Sequence, residues 1–202
     1  MSSAKFRAAI GEIRETADRM ARSAKFKVIF EEYPAMTSDD IKAWEGEIRI
    51  KILQEKFSIP ESIVDFYHIS GGFQFQWQNI DTDELVTGSS CIVTLMELYQ
   101  RDDEIDFSME DCLKKSRSFD MISPDDETVF DFSGKLFEHF QISVVEKDSK
   151  KIHHLQIGLV NYIANLAKFR AIYRWQDIFT AQDTVTSNNA LLERLNTYLS
   201  GI

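Results

Sequence analysis

Carboxylates are the most abundant side chains in this sequence that could do chemistry, and they concentrate in one region. Residues 81–132 hold fifteen acidic and four basic side chains, in a chain of net charge −10. An EF-hand calcium loop needs a central glycine, and no glycine lies between Arg101 and Asp111. The acidic region therefore indicates either a surface for a basic protein partner or loops that keep the protein soluble. We predict no nucleic-acid binding, because phosphates would be repelled there.

The histidines and cysteines form no recognisable catalytic or metal-binding pattern. His153 and His154 are consecutive on a predicted strand, so their side chains point to opposite faces and cannot hold one metal together. Cys91 and Cys112 show neither metal-type spacing nor a redox pair, which is typical of reduced thiols in a cytosolic protein. No protease, hydrolase or phosphate-binding motif is present. We therefore predict no enzymatic activity, no cofactor and no metal, and keep an enzyme of unrecognised type as the less favoured alternative.

The stretch from Ile59 to Trp77 predicts a helix, a turn and a strand. Pro60 suits the first turn of a helix, because its fixed φ is helical and its missing N–H is not needed there. Residues 73–78 alternate aromatic and glutamine side chains, which is the period of a strand. A phosphate-binding loop would need glycines between a strand and a following helix. Because the order here is reversed, we interpret Gly71-Gly72 as a helix C-cap and turn.

The N-terminal segment predicts an amphipathic basic helix that residues 31–34 interrupt. Such a helix could lie on an anionic membrane surface, on an acidic partner, or on its own domain with its basic side chains in water. Its apolar positions at helical spacing are Phe6, Ile10, Ile13, Ala17, Met20 and Ala24, with Arg7, Arg14, Arg19 and Arg22 interleaved.

The remaining elements predict an α+β fold. Alternating apolar residues mark strands in the ranges 91–93, 119–132, 137–145 and 152–157, and their short connections favour antiparallel pairing. Helices are predicted from residue 38 to about residue 57, around residues 95–99, from residue 159 to residue 169, and after Asn188. We predict an antiparallel sheet of about five or six strands flanked by helices, with the extra N-terminal helix. Residues 1–34 form a basic helical segment, and residues 35–202 form one domain that includes a C-terminal helix.

Several motifs in this order resemble the SUKH superfamily. The proline-started aromatic helix and its glycine turn resemble the entry to that fold, although typical members have Asn-Gly at the turn. Residues 119–122 and 129–132 are similar to its paired central strands, and residues 161–179 to its C-terminal helix and Tyr-x-Trp-Gln ending. The resemblance spans roughly residues 38–179. The residues with a structural role in these motifs are Pro60, Phe66, Tyr67, Gly71, Gly72, Tyr173 and Trp175.

The resemblance implies a protein-binding function. Many bacterial SUKH members are immunity proteins that neutralise a toxin by direct binding, and an acidic face would suit a basic nuclease toxin by mimicking phosphate. Fungal members of the superfamily, the cell-wall regulators, imply a regulatory or scaffold protein as the alternative. Since neither a secretory signal nor a membrane-spanning run is evident, we expect a cytoplasmic protein without integral membrane association. The candidate partner-binding residues are Asp102, Asp103, Glu104, Asp106, Asp125, Asp126 and Glu127.

Overall fold

The computed structural model describes residues 2–52, 57–81, 85–99, 116–133 and 139–180, together with Glu193 and Thr197. These residues form one antiparallel sheet and six helical elements, so the α+β class is confirmed. The strands are β1 (Phe26–Glu32), β2 (Phe73–Asn79), β3 (Thr87–Ile92), β4 (Ser116–Met121), β5 (Asp126–Ser133), β6 (His139–Glu146) and β7 (Lys151–Leu155). The α-helices are α1 (Ser2–Arg22), α2 (Ser38–Ile52), α3 (Glu61–Tyr67), α4 (Leu95–Tyr99) and α5 (Leu159–Lys168), and a 3-10 helix follows at Trp175–Phe179.

The seven strands lie side by side in the order in which they occur along the chain. Every neighbouring pair is antiparallel, as predicted. Short connections account for this from β2 to β3 and from β4 to β7, whereas the connections from β1 to β2 and from β3 to β4 contain helices. The sheet therefore has one or two strands more than the sequence predicted. The helix predicted after Asn188 lies outside the described residues, except for Glu193 and Thr197, which are helical.

The additional strand is β1, which the sequence analysis placed in the N-terminal helical segment. The helix ends at Arg22, and residues 26–32 pair with β2 along their whole length. Phe26, Val28 and Phe30 alternate with more exposed neighbours, as expected for a strand with one side toward the core. Residues 1–34 therefore contribute both a helix and an edge strand to the sheet that the rest of the chain builds.

Helix α1 packs on its own domain, as one of the three interpretations of the basic helix proposed. Its apolar stripe contacts β1, α3 and α5, and its arginines lie on the exposed side. The buried side chains of this stripe are Phe6, Ala9, Ile10, Ile13, Thr16, Ala17 and Met20. Ala24 lies beyond the end of the helix and is exposed.

The helix and strand predicted from Ile59 to Trp77 are confirmed, and Gly71-Gly72 lies in the turn between them. The C-cap of α3 is His68, so the interpretation of the two glycines as the helix C-cap is wrong. Pro60 stands at the N-cap of α3, and Gly72 has a φ of +108°, a conformation that glycine adopts at low cost. Gly71 lies so close to the chain near Pro34 that a Cβ atom would come within 2.1 Å of the Pro34 carbonyl oxygen. The turn therefore needs both glycines, one for its backbone angle and one for close approach.

Trp77 connects the sheet to the segment that follows α5. Its indole N–H donates a hydrogen bond to the backbone oxygen of Arg170 at 2.6 Å. The indole lies against Gly88 on the neighbouring strand, where a Cβ atom would stand 2.1 Å from the indole nitrogen. Gly88 itself forms an isolated bridge with Ile172. The absence of a side chain at residue 88 therefore lets Trp77 and the 170–172 segment meet.

We expect Gly88→Ala to lower the free energy of unfolding by about 2 kcal/mol or more, because the added methyl group overpacks the site and displaces the Trp77 hydrogen bond. The matched control is Gly11→Ala in α1, where no atom lies within 4 Å of the new Cβ. Its higher helix propensity should raise stability by roughly 0.5–1 kcal/mol. Urea unfolding followed by circular dichroism measures the stability of both variants. Equal effects of the two substitutions would show that the contact between Gly88 and Trp77 is not needed for stability.

Candidate functional site

A fully buried carboxylate lies at the centre of the sheet. Asp120, on β4, is 0% exposed. Its Oδ1 atom accepts hydrogen bonds from Ser90 Oγ at 3.0 Å and from the backbone N–H of Cys91 at 2.8 Å. Its Oδ2 atom accepts a third bond from the Tyr162 hydroxyl at 2.7 Å. These three donors offset much of the cost of removing a carboxylate from water.

The Tyr162 hydroxyl connects this carboxylate to two further buried polar side chains. It lies 2.8 Å from Thr128 Oγ1 on β5, and it accepts a bond from Gln176 Nε2 at 3.3 Å. Tyr162 belongs to α5, and Gln176 belongs to the 3-10 helix. One hydroxyl therefore holds together β4, β5, α5 and the 3-10 helix.

Sequence reasoning missed this network, because a break in the strand periodicity creates it. The pairing of β4 with β5 shifts register between Ser118 and Asp120. As a result, the consecutive residues Phe119 and Asp120 are both 0% exposed, although neighbours on a regular strand face opposite sides. An aspartate between the apolar residues Phe119 and Met121 was the available signal, but only the bulge places it inside.

Burial raises the pKa of the Asp120 carboxyl to about 6, against the lowering effect of the hydrogen bonds from Tyr162, Cys91 and Ser90. The folded protein therefore favours the protonated carboxyl relative to the unfolded chain. Its favourable contribution to stability is fully present below about pH 4, the range of an unfolded aspartate, and is lost as the pH rises through about 6.

Asp120→Asn removes this titration while keeping the shape of the side chain. We expect wild type to lose on the order of 3 kcal/mol of stability, relative to the variant, as the pH rises from about 4 to about 7. Urea unfolding of both proteins across this range measures the difference. A difference that does not change with pH would show that Asp120 titrates normally.

Tyr162→Phe should cost about 1–3 kcal/mol of stability, because it leaves buried polar atoms of Asp120 and Thr128 without their partner. It should also raise the pKa of Asp120 further, since the Tyr162 hydrogen bond lowers that pKa. A carbon-13 NMR titration of the carboxyl group measures the second effect. The control is Tyr173→Phe, which removes a hydrogen bond to the half-buried Asp126. An equal change in the pKa of Asp120 in both variants would show that the Tyr162 hydrogen bond has no specific effect on that pKa.

A second group of carboxylates lies at one end of the sheet, and we call it the acidic corner: Asp125, Asp126, Glu127, Glu146 and Asp177. Asp126 and Glu146 are direct cross-strand partners on β5 and β6. Asp125 stands in the turn before β5 and is exposed, and Asp177 comes from the 3-10 helix. Glu127 points to the other face of the strand, where it accepts a hydrogen bond from Ser118. The acidic corner therefore wraps around the end of the sheet.

Like charges directly opposite each other destabilise a sheet, and residues from the segment after α5 offset this repulsion. The Tyr173 hydroxyl donates to Asp126. Arg174 lies 2.8 Å from Glu146 and 2.9 Å from Asp177. The pKa of Glu146 is lowered, first by a hydrogen bond from Ser149, with the charge of Arg174 contributing. Burial raises the pKa of Asp177, with Arg174 opposing the rise. The acidic corner is thus held in place by its own domain.

The structure describes three of the seven candidate partner-binding residues, of which Asp126 and Glu127 face opposite sides of β5. Asp125, Asp126 and Glu127 all lie in the acidic corner. Asp102, Asp103, Glu104 and Asp106 lie outside the described residues. Glu146 and Asp177, which the sequence analysis did not select, join the group because strand pairing and the 3-10 helix bring them there.

The motif residues of the resemblance lie in the core or at turns. Phe66 and Tyr67 are fully buried, and the Tyr67 hydroxyl donates to the backbone oxygen of Val93 at 2.8 Å. Trp175 is 1% exposed, and its ring centroid lies 4.9 Å from that of Tyr162. Tyr173 contacts the acidic corner. Most of these side chains therefore form packing contacts inside the domain.

A groove of about 520 Å³ lies between the starts of α3, α5 and β6. Its polar side chains are Glu61, Ser62, His139 and Asn161, and the rest of its lining is apolar or glycine. An enzyme site combines such a pocket with titratable groups of perturbed pKa. Asp120, whose pKa burial raises, does not line this groove but is enclosed in the core.

The histidines on β7 have separate partners, as their predicted opposite orientation requires. His153 Nε2 lies 3.5 Å from Glu146 Oε1, and His154 Nδ1 lies 2.9 Å from Ser143 Oγ. Within the part of the chain that the structure describes, no three His, Cys, Asp or Glu side chains are arranged to hold a metal ion. Burial raises the pKa of the Cys91 thiol to about 11, so this thiol is protonated at neutral pH. Among the described helices, none has the length and apolarity needed to cross a membrane.

Comparison with known proteins returns no family model, no curated protein and no solved structure that matches this chain significantly. The resemblance to the SUKH superfamily therefore stays a prediction that rests on the motifs themselves.

Proposed function

We propose that the protein is a non-catalytic binding module of the cytoplasm that neutralises a basic, nuclease-type toxin by direct contact. The observation that carries this proposal is the acidic corner, where Asp125, Asp126, Glu146 and Asp177 lie around one end of the sheet and Glu127 lies on its other face. Complementary charge accelerates association with a basic partner. The SUKH-like order of motifs supports the same class of function.

The geometry of the acidic corner suits occlusion of a phosphate-binding surface. Tyr173 and Arg174 already hold three of its carboxylates, so little side-chain freedom is lost when a partner binds. Asp125 is exposed and stands at the tip of the β4–β5 turn, where a partner can approach it. A nuclease whose basic residues engage these carboxylates can no longer hold nucleic acid with the same residues.

The position of Asp120 supports a binding function over an enzymatic one. Its shifted pKa would be the signature of a catalytic carboxylate if a substrate could reach it. Here its oxygens accept bonds from Ser90, Cys91 and Tyr162, and the side chain is 0% exposed. The shift of its pKa therefore follows from its structural role in the core.

The alternative function is a regulatory scaffold that uses the basic side of α1. Arg7, Arg19 and Arg22 are exposed on that side, and Arg14 is half-exposed in an ion pair with Glu32 at 2.7 Å. Deleting residues 1–30 cannot test this alternative, because the deletion removes a buried helix and most of β1. Charge reversal at Arg7 and Arg22 leaves the buried stripe unchanged and is the better variant.

The first experiment is affinity capture from the native host at low salt, followed by purification of the captured protein and direct binding measurements. We expect the triple variant Asp125→Asn, Asp126→Asn and Glu127→Gln to slow association about tenfold and to flatten its salt dependence. If the partner is a nuclease, its activity should be inhibited by wild type and much less by the triple variant.

The matched control removes the same charge from α1 through Glu12→Gln, Glu15→Gln and Asp18→Asn, which are all exposed. This control should bind as wild type does. Unchanged affinity and salt dependence in the acidic-corner variant would refute the proposal. Loss of binding on charge reversal of Arg7 and Arg22 alone would favour the scaffold instead.

A further inference from the structure

Among the described residues, β1 is an edge strand of the sheet, and we call its outer side the free edge. It pairs with β2, and no other described strand lies on its outer side. Hydrogen bonds at both ends of the ladder, from Tyr33 N to Gly72 O at 2.9 Å and from Ile80 N to Lys25 O at 2.8 Å, show which residues bond to β2. These are the odd-numbered residues, because bonding alternates along an antiparallel strand. The backbone groups of the even-numbered residues of β1 therefore point away from the sheet.

Few backbone groups on the free edge of β1 have hydrogen-bond partners among the described residues. The N–H group of Phe26 is used by the preceding turn, where it donates to Ser23 O at 3.3 Å. The backbone groups of Val28 and Phe30 lie further along the edge. Both side chains are on the core side of the sheet, yet they are only partly buried, as expected for a strand that lacks a neighbour. An edge of this kind is a template for pairing with another strand.

The outward face of β1 is complementary to itself. Lys27, Ile29 and Glu31 alternate along this face, and Ile29 is 41% exposed. Within the described residues, neither Lys27 nor Glu31 has an ion-pair partner. If a second copy pairs antiparallel with its Ile29 opposite this Ile29, each Lys27 stands opposite Glu31 of the other copy. Opposite charges in directly facing positions stabilise antiparallel pairs.

The same register satisfies the backbone. With the two copies centred on Ile29, Val28 stands opposite Phe30 of the second copy, so the free N–H and C=O groups of both residues exchange hydrogen bonds. Centring the pair on Lys27 or on Glu31 would place like charges opposite each other, which destabilises a sheet. The registers centred on Val28 and Phe30 would leave Lys27 without an acidic residue opposite it on the strand.

We propose that the protein forms a two-fold symmetric dimer in which β1 of each copy pairs with β1 of the other, centred on Ile29, to give one continuous sheet. The contact is isologous, because the same surface of both copies is used. The exposed apolar side chain of Ile29 is covered by its counterpart, and two Lys27–Glu31 ion pairs flank it. This interface is separate from the acidic corner, which lies among β5, β6 and the 3-10 helix.

The test is sedimentation and light scattering of the full chain over a wide concentration range. Wild type should be a concentration-dependent dimer. Lys27→Glu and Glu31→Lys should each weaken dimerisation by about tenfold or more, because each places like charges opposite each other twice. The double variant with both substitutions should restore the dimer, since the pairing is then reversed in sign. A mixture of the two single variants should form the heterodimer.

The matched control is Lys151→Glu, an exposed position on the strand at the opposite edge of the sheet, which should leave the dimer intact. Thermal unfolding of each variant checks that the fold is kept, which we expect because Lys27 and Glu31 are exposed. A wild type that is monomeric at all concentrations overturns the proposal. A dimer that neither single variant weakens places the interface elsewhere, and a dimer that the double variant fails to restore overturns the register.

Discussion

The hydrogen bond from the Tyr162 hydroxyl to Asp120 is the interaction on which the packing of α5 and the 3-10 helix against the sheet depends. A carboxylate that is 0% exposed is tolerated only with donors around it. Those donors come from β3 and α5, and the same hydroxyl contacts Thr128 on β5 and Gln176 on the 3-10 helix. The position of α5 over the sheet is therefore set by directional bonds in addition to apolar contacts.

The segment after α5 is held in position by the contacts of Tyr162 and by backbone hydrogen bonds to the edge of β3. Ser89 N donates to Ala171 O at 2.8 Å, and Tyr173 N donates to Thr87 O at 3.1 Å. Arg174 has a φ of +66°, an uncommon conformation for a residue other than glycine. This path carries Tyr173 and Arg174 to the cross-strand carboxylates of β5 and β6. The core network and the acidic corner are thus two ends of one continuous set of contacts.

The strand order separates the two surfaces to which we assign roles. The acidic corner belongs to β5, β6 and the 3-10 helix, whereas β1 forms the opposite edge of a sheet whose strands follow chain order. Self-association through β1 would leave the acidic corner open, so a dimer could present two copies of it to basic partners. The exposed arginines of α1 lie on the side of that helix away from the core.

The sequence by itself determined the elements that have a local period: α1, the helix and glycine turn from Ile59 to Trp77, the β4–β5 hairpin and α5. It also determined antiparallel pairing from β4 to β7, since the short connections there do not allow a parallel crossover. The tertiary structure alone decided three features. Residues 26–32 form a strand because they pair with β2 along their whole length. Asp120 became buried because a register shift turned it inward. Glu146 and Asp177 joined the acidic corner because residues distant in sequence meet only through strand pairing and chain packing, which a local period cannot encode.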